Sequence, residues 1–216
     1  MDWVLELNGH LKVVDGKTTI TWHGKTYTGT TGDKALDAAR AAWRLKDSGI
    51  DFNRDLTENE KETGQIETTT TIGSNTEIKV VATATSITYE DPKTGIKGKS
   101  KEEFLKNSYQ AARKNDPKAK KQTYEEWIWA TYNIRTQIKS GVVDKNGKEI
   151  DLNSNTAVRD EINKLLEEPL DKLELNSKGN LIIPLENGVK IKLSGETVVD
   201  KNGKVDPAKV KAQLMK

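Results

Sequence analysis

The run Asp-Lys-Asn-Gly-Lys occurs twice, at residues 144–148 and 200–204. Its spacing comes close to the middle of a calcium-binding EF-hand loop. With Gly203 at the glycine position, Asp200 takes loop position three, Asn202 position five and Asp206 position nine. Such a loop needs a carboxylate at position one and a bidentate Glu at position twelve. Val198 and Lys209 stand there, and Val142 and Asn153 in the first copy. The chemistry is therefore missing its ends. What remains is a turn: Asp and Asn tolerate the left-handed backbone, and Gly adopts it without steric cost. In both copies the turn follows Val-Val, and a cousin of it occupies residues 13–17.

The other reactive residue types are sparse. The two histidines, His10 and His23, fall beside and within turn dipeptides, with no convincing carboxylate neighbour in sequence. Both are expected on turn surfaces. Glu125-Glu126 and Glu167-Glu168 are adjacent pairs, and neighbouring helical residues point different ways. Residues 29–33, Gly-Thr-Thr-Gly-Asp, open a helix but lack the Gly-Lys-Ser/Thr of a phosphate loop. There is no cysteine. Disulfides, thiolate nucleophiles and cysteine-ligated metal sites are excluded. No residue is singled out as catalytic or as a metal or cofactor ligand, and the chain is read as non-enzymatic.

The elements that would position any site are legible from turn and cap signals. Asn8-Gly9, Asp15-Gly16 and His23-Gly24 recur every seven or eight residues, and such dipeptides mark hairpins. They predict a β-meander with strands at 3–7, 11–14, 18–22 and 25–28. A helix over 33–46 should pack its alanine-rich stripe on that meander. Residues 51–64 read as a polar loop with one helical turn after Thr57. Ser100–Glu103 and Thr123–Glu126 are capping boxes. They predict helices to about Asn115 and about Lys139. Further helices are expected at 155–168 and from Asp206-Pro207 onward, with a hairpin across Glu186-Asn187-Gly188. The fold class is α+β, with mostly antiparallel sheets and about five helices. Three segments are distinguished, 1–50, 64–141 and 142–216, or one compact unit holding all of them.

Residues 65–90 are dominated by β-branched side chains and predict a long central hairpin. Pairing Ile72 with Thr76 puts Ile66, Thr68, Thr70, Ile72, Ile78, Val80 and Ala82 on one face. Its second arm, 76–89, would extend roughly 46 Å at 3.3 Å per residue. It outruns its partner arm, so Thr83, Thr85, Ile87 and Tyr89 should need a strand from elsewhere. On the helix after Thr123, the apolar stripe is Tyr124, Trp127, Ile128, Thr131, Ile134 and Ile138. Trp129 points away from it and Tyr132 lies on its flank. These six residues, Thr83, Thr85, Ile87, Tyr89, Trp129 and Tyr132, are the expected interface for a protein partner or self-association.

Charge supplies an alternative. The net charge is +2 in 216 residues, but residues 93–121 hold ten basic residues against three acidic. Arg113, Lys114, Lys118, Lys120 and Lys121, with Tyr109 and Tyr124 nearby, could meet phosphates and stack on bases. The favoured reading is a structural or assembly protein, and the alternative is nucleic-acid binding through this segment. The texture of turn-rich sheets without catalytic motifs resembles small virion or tail-assembly proteins of bacterial viruses. No apolar run approaches a membrane span, and the N-terminus lacks a signal peptide's pattern. A cytoplasmic or particle-bound location without membrane partners is expected.

Overall fold

The computed structural model describes residues 9–215. The chain is α+β with antiparallel sheets, and it divides into two units, 1–115 and 116–216. The division falls inside the expected segment 64–141. The expected strand at residues 3–7 lies outside the described residues.

The first unit opens with β1 (Leu11–Val14), β2 (Lys17–Trp22) and β3 (Lys25–Gly29), joined in that order as an antiparallel meander. Its two turns are two-residue loops. Asp15 and Gly16, then His23 and Gly24, all have positive φ, between 49° and 72°. This is the backbone that two-residue hairpins of matching twist require. Helix α1 (Lys34–Asp47) follows, capped by the Asp33 carboxylate on the Leu36 N–H at 2.9 Å. Its Leu36, Ala38, Ala39, Ala41, Ala42 and Leu45 are all buried. That burial exceeds one stripe because α1 touches both the meander and a second sheet. Helix α2 (Glu58–Thr63) starts with a full capping box between Thr57 and Glu60.

The second sheet has the order β4-β5-β6-β7. Its strands are β4 (Ile66–Ile72), β5 (Thr76–Ala82), β6 (Ile87–Glu90) and β7 (Lys97–Gly98). The expected register holds, with Ile72 opposite Thr76 and Ile66 opposite Ala82. So does the facing. Ile66, Ile72, Ile78, Val80 and Ala82 are buried, while Glu67, Thr69, Thr71 and Glu77 are exposed. The single fourteen-residue arm is corrected. The chain reverses at residues 83–86, and β6 returns antiparallel along β5, with Ala82 opposite Ile87 and Val80 opposite Tyr89. The reversal is built from hydroxyls. Thr83 Oγ1 accepts the Thr85 and Ser86 N–H groups at 3.3 and 3.1 Å. The Thr83 N–H donates to the Ser86 carbonyl at 2.9 Å. Such side-chain turns need neither Gly nor Pro. Helix α3 (Lys101–Asn115) packs on β7, where Gly98 admits the helix backbone. A Cβ there would meet Phe104 N at 2.2 Å.

The second unit begins with the short α4 (Pro117–Lys121) and α5 (Tyr124–Tyr132). The expected extension of α5 to Lys139 is also corrected. Asn133 takes the left-handed conformation, and its N–H bonds to the Trp129 carbonyl at 3.0 Å, which ends the helix. Asparagine does this at less cost than other non-glycine residues. Strands β8 (Gly141–Val143), β9 (Leu181–Pro184) and β10 (Lys190–Leu193) form a sheet with β10 central. Helices α6 (Thr156–Glu167), α7 (Gly195–Val198) and α8 (Pro207–Leu214) complete the unit. Among the described residues there are eight α-helices, against the five expected. Of the additions, α2 is the helical turn expected after Thr57, and α4 and α7 are five residues or shorter, too short to show a helical period. The core joins Val142, Ile162, Leu181, Ile183, Ile191, Val198 and Val210.

Candidate interaction edge

Strand β4 is the seven-residue edge strand of the four-stranded sheet. It is bonded to β5 on one side, and no strand pairs with its other side among the described residues. The alternation of main-chain bonds shows which groups are free. Thr83 and Ser86 close the second turn as a bonded pair. Antiparallel ladders alternate bonded and non-bonded pairs. Val81 and Lys79 therefore aim their main-chain groups at β6, and Ile78, Val80 and Ala82 aim theirs at β4. It follows that Ile66, Thr68, Thr70 and Ile72 bond to β5. The N–H and C=O groups of Glu67, Thr69 and Thr71 point away from the sheet. All three residues are exposed.

Natural edges are commonly blunted by lysine, proline, a bulge or shortness. β4 has none of these. It is seven residues long, its register with β5 is unbroken, and its only charge is Glu67. That charge is partly neutralised by Lys79 on β5, whose Nζ is 2.8 Å from Glu67 Oε2. The Glu67 hydrogen bond in turn raises the Lys79 ammonium above its ordinary value. A groove of about 740 Å³ lies over the outer face of β4 and β5, lined in part by Glu67, Thr69, Lys79 and Lys93.

The residues expected at an interface are divided between the two units. Thr83 and Thr85 form the turn, and Ile87 and Tyr89 lie in β6, both paired with β5 and Tyr89 also with β7. Tyr89 is buried, and burial pushes its phenol above the ordinary value. Trp129 is half-buried within its own unit. The Arg135 guanidinium lies 5.0 Å from its ring centre, and Gly179 sits flush against it. Tyr132 meets Trp127 edge-to-face at 5.5 Å. Thr83, Thr85, Ile87 and Tyr89 belong to the first unit, and Trp129 and Tyr132 to the second.

The basic residues lie at the division of the chain. Arg113 and Lys114 end α3, with Arg113 5.6 Å from the Tyr109 ring. Lys118, Lys120 and Lys121 belong to α4, and all five are exposed.

One cluster escaped the sequence reading. His10 stacks on Trp43 with ring centres 3.4 Å apart, and its Nε2 is 3.8 Å from Asp47. Trp43 meets Trp22 edge-on, and Trp22 stacks on Phe52. Trp22 Nε1 donates to the Arg54 carbonyl at 2.8 Å. His23 bonds Asn53 at 2.8 Å and approaches Asp55. These contacts pin residues 52–55 to the meander. The carboxylates that the histidines lacked in sequence come from Asp47 and Asp55, more than thirty positions away, which no local spacing could show.

Among the described residues, no three His, Asp or Glu side chains converge as a metal site. No described helix is long and apolar enough to cross a membrane. No protein-family model, curated protein or solved structure matches the chain.

Proposed function

We propose that this chain is a non-enzymatic interaction or assembly protein that works by accepting a strand on β4. The observation that carries this reading is the unguarded edge. Three exposed residues, Glu67, Thr69 and Thr71, offer paired donors and acceptors outward along an uninterrupted seven-residue strand. An added strand would satisfy them through its main chain, while alternate side chains set specificity. The test uses a soluble seven-residue peptide of alternating valine and threonine as a generic strand. Hydrogen exchange of residues 66–72 is followed in dilute protein with and without it. Protection confined to β4 supports the reading. Unchanged exchange at millimolar peptide rejects it. The finer expectation, a virion or tail-assembly component, rests on the texture of the sequence and adds no residue to this edge.

A second reading is favoured by one observation. Lys118, Lys120 and Lys121 are exposed and make no ion pair among the described residues. Free lysines of this density suit phosphates, each contact steepening the salt dependence of binding. Reversing all three to Glu should abolish binding to a single-stranded oligonucleotide. Absence of binding by the unaltered protein at low salt ends this reading.

A further inference from the structure

We infer that the occupant of the β4 edge is a second copy of this chain, paired antiparallel about Thr69. This rests on the edge reading above and goes beyond it by naming partner, symmetry and register. The argument is the sequence of the edge itself. Ile66-Glu67-Thr68-Thr69-Thr70-Thr71-Ile72 reads almost the same in both directions, departing only where Glu67 mirrors Thr71. A two-fold interface brings one patch against itself, so residue i meets j and j meets i. About Thr69, Ile66 faces Ile72 of the second copy and Thr68 faces its Thr70. Thr69 faces Thr69, and Glu67 faces Thr71. Like meets like on the inner row, each outer Glu67 carboxylate meets a Thr71 hydroxyl, and no carboxylate opposes another.

Other registers are worse. A one-residue slip sets inward side chains against outward ones. A two-residue slip keeps the faces but leaves two residues of each strand unpaired and sets Ile against Thr. The Thr69 centre alone pairs all seven residues. It also matches the main chain. Glu67, Thr69 and Thr71 carry the outward groups, so the pairs 67–71, 69–69 and 71–67 are all bonded pairs, giving six hydrogen bonds between copies. The two four-stranded sheets become one of eight strands, with both β4 edges removed from water.

The absence of cysteine makes the register directly readable. Single variants Glu67→Cys, Thr69→Cys and Thr71→Cys are treated with a short bifunctional thiol reagent. Bonded partners lie about 5.5 Å apart between Cα atoms. The distance from residue 67 to its own copy is more than twice that, since four steps of about 3.4 Å along the strand separate them. T69C should link to itself efficiently. E67C and T71C should link poorly alone and well when mixed. Sedimentation of the unaltered protein should show mass rising from 24.1 kDa toward twice that value with concentration. Thr69→Glu, which sets two carboxylates face to face between copies while standing opposite Lys79 within its own sheet, should return it to monomer with the dilute protein still folded.

A strictly monomeric protein overturns this inference, and if β4 still takes up the strand peptide the edge reading survives. A dimer in which T69C links no better than E67C overturns the register and the inference with it. Failure of both the dimer and the peptide removes both readings.

Discussion

Asp144 and Asp200 hold the same position in two copies of one turn. Asp144 Oδ1 accepts the Asn146 and Lys148 N–H groups at 2.8 and 2.9 Å, and Asp200 Oδ1 accepts those of Asn202 and Lys204 at 2.8 and 3.0 Å. Gly147 and Gly203 have φ of 81° and 80°. Each turn is closed by a single bridge, Val143 to Glu149 and Val199 to Val205. The carboxylate that resembled a cation ligand is thus turned onto its own backbone. The Lys204 N–H bond is the largest influence on Asp200 and, with those from Asn202, holds its carboxyl below the ordinary value against the opposing effect of desolvation. A depressed folded value means stability that is present above the unfolded value and lost as pH falls through the folded one. Asp200→Ala should lower the melting temperature at neutral pH. Asp200→Asn, which keeps an acceptor, should restore most of it and flatten the acid limb of the melting profile. Millimolar calcium should leave both unmoved.

The turn at residues 83–86 gives a sharper mutational contrast. Thr83 Oγ1 receives two backbone N–H groups and lies 2.8 Å from Ser86 Oγ. Net contributions of such bonds are about 1 kcal/mol each. Thr83→Val, which keeps shape and strand preference but removes the acceptor, should cost about 1–2 kcal/mol. Thr83→Ser should cost much less. Urea midpoints at constant slope measure both. Equal losses in the two variants would show that the hydroxyl is not what reverses the chain.

That turn also shows what the sequence could and could not disclose. Where a reversal needs positive φ, the residue types announce it, as at Asp15-Gly16 and His23-Gly24. Where a helix begins, the reciprocal cap announces it, and Thr123 with Glu126 does so. Residues 83–86 give no such sign, because Thr-Ala-Thr-Ser is as good a strand as a turn until its hydroxyls find the backbone. The ending of α5 at Asn133 is hidden in the same way, since Ile134 and Ile138 continue the helical spacing beyond it. The edge itself was illegible for a different reason. The symmetry of residues 66–72 is plain in the sequence, but it means something only once β6 is known to lie on the far side of β5.

Gly179 and Trp129 form a contact that accounts for the outward tryptophan. Gly179 has φ of 76°, and a Cβ there would lie 2.7 Å from Trp129 Cε3 and 2.8 Å from Arg135 Cγ. Gly179→Ala therefore combines a left-handed strain of about 1–2 kcal/mol with displacement of the indole. The variant should melt several degrees lower and show a changed near-ultraviolet circular dichroism band. Trp129→Phe should leave a smaller ring in the same place and soften the penalty when combined with it. Additive losses in the double variant would argue that the two residues do not meet.

Glu60 and Arg54 supply the last prediction, and its sign follows from burial. Glu60 is buried, which alone would raise its carboxyl, and this is the largest single influence on it. The opposing influences together outweigh it. Arg54 Nη1 donates to Glu60 Oε2 at 2.9 Å and Nη2 to Oε1 at 2.5 Å, while the Thr57 N–H donates at 2.8 Å. The carboxyl is held below its ordinary value, and the Glu60 hydrogen bond raises the Arg54 guanidinium. With the folded value depressed, the unfolded chain binds the proton first, so stability falls as pH drops from the unfolded value through the folded one. Arg54→Met removes the fork and leaves a buried carboxylate with only Thr57. It should cost about 2 kcal/mol at pH 7, measured by urea unfolding. In that variant the cost of burying the charge is no longer offset, so the carboxyl rises. Its stability should then improve, relative to wild type, as the solution is acidified, and the two urea midpoints should converge between pH 7 and pH 4. Parallel curves would show that the Arg54 fork contributes nothing to the charge on Glu60.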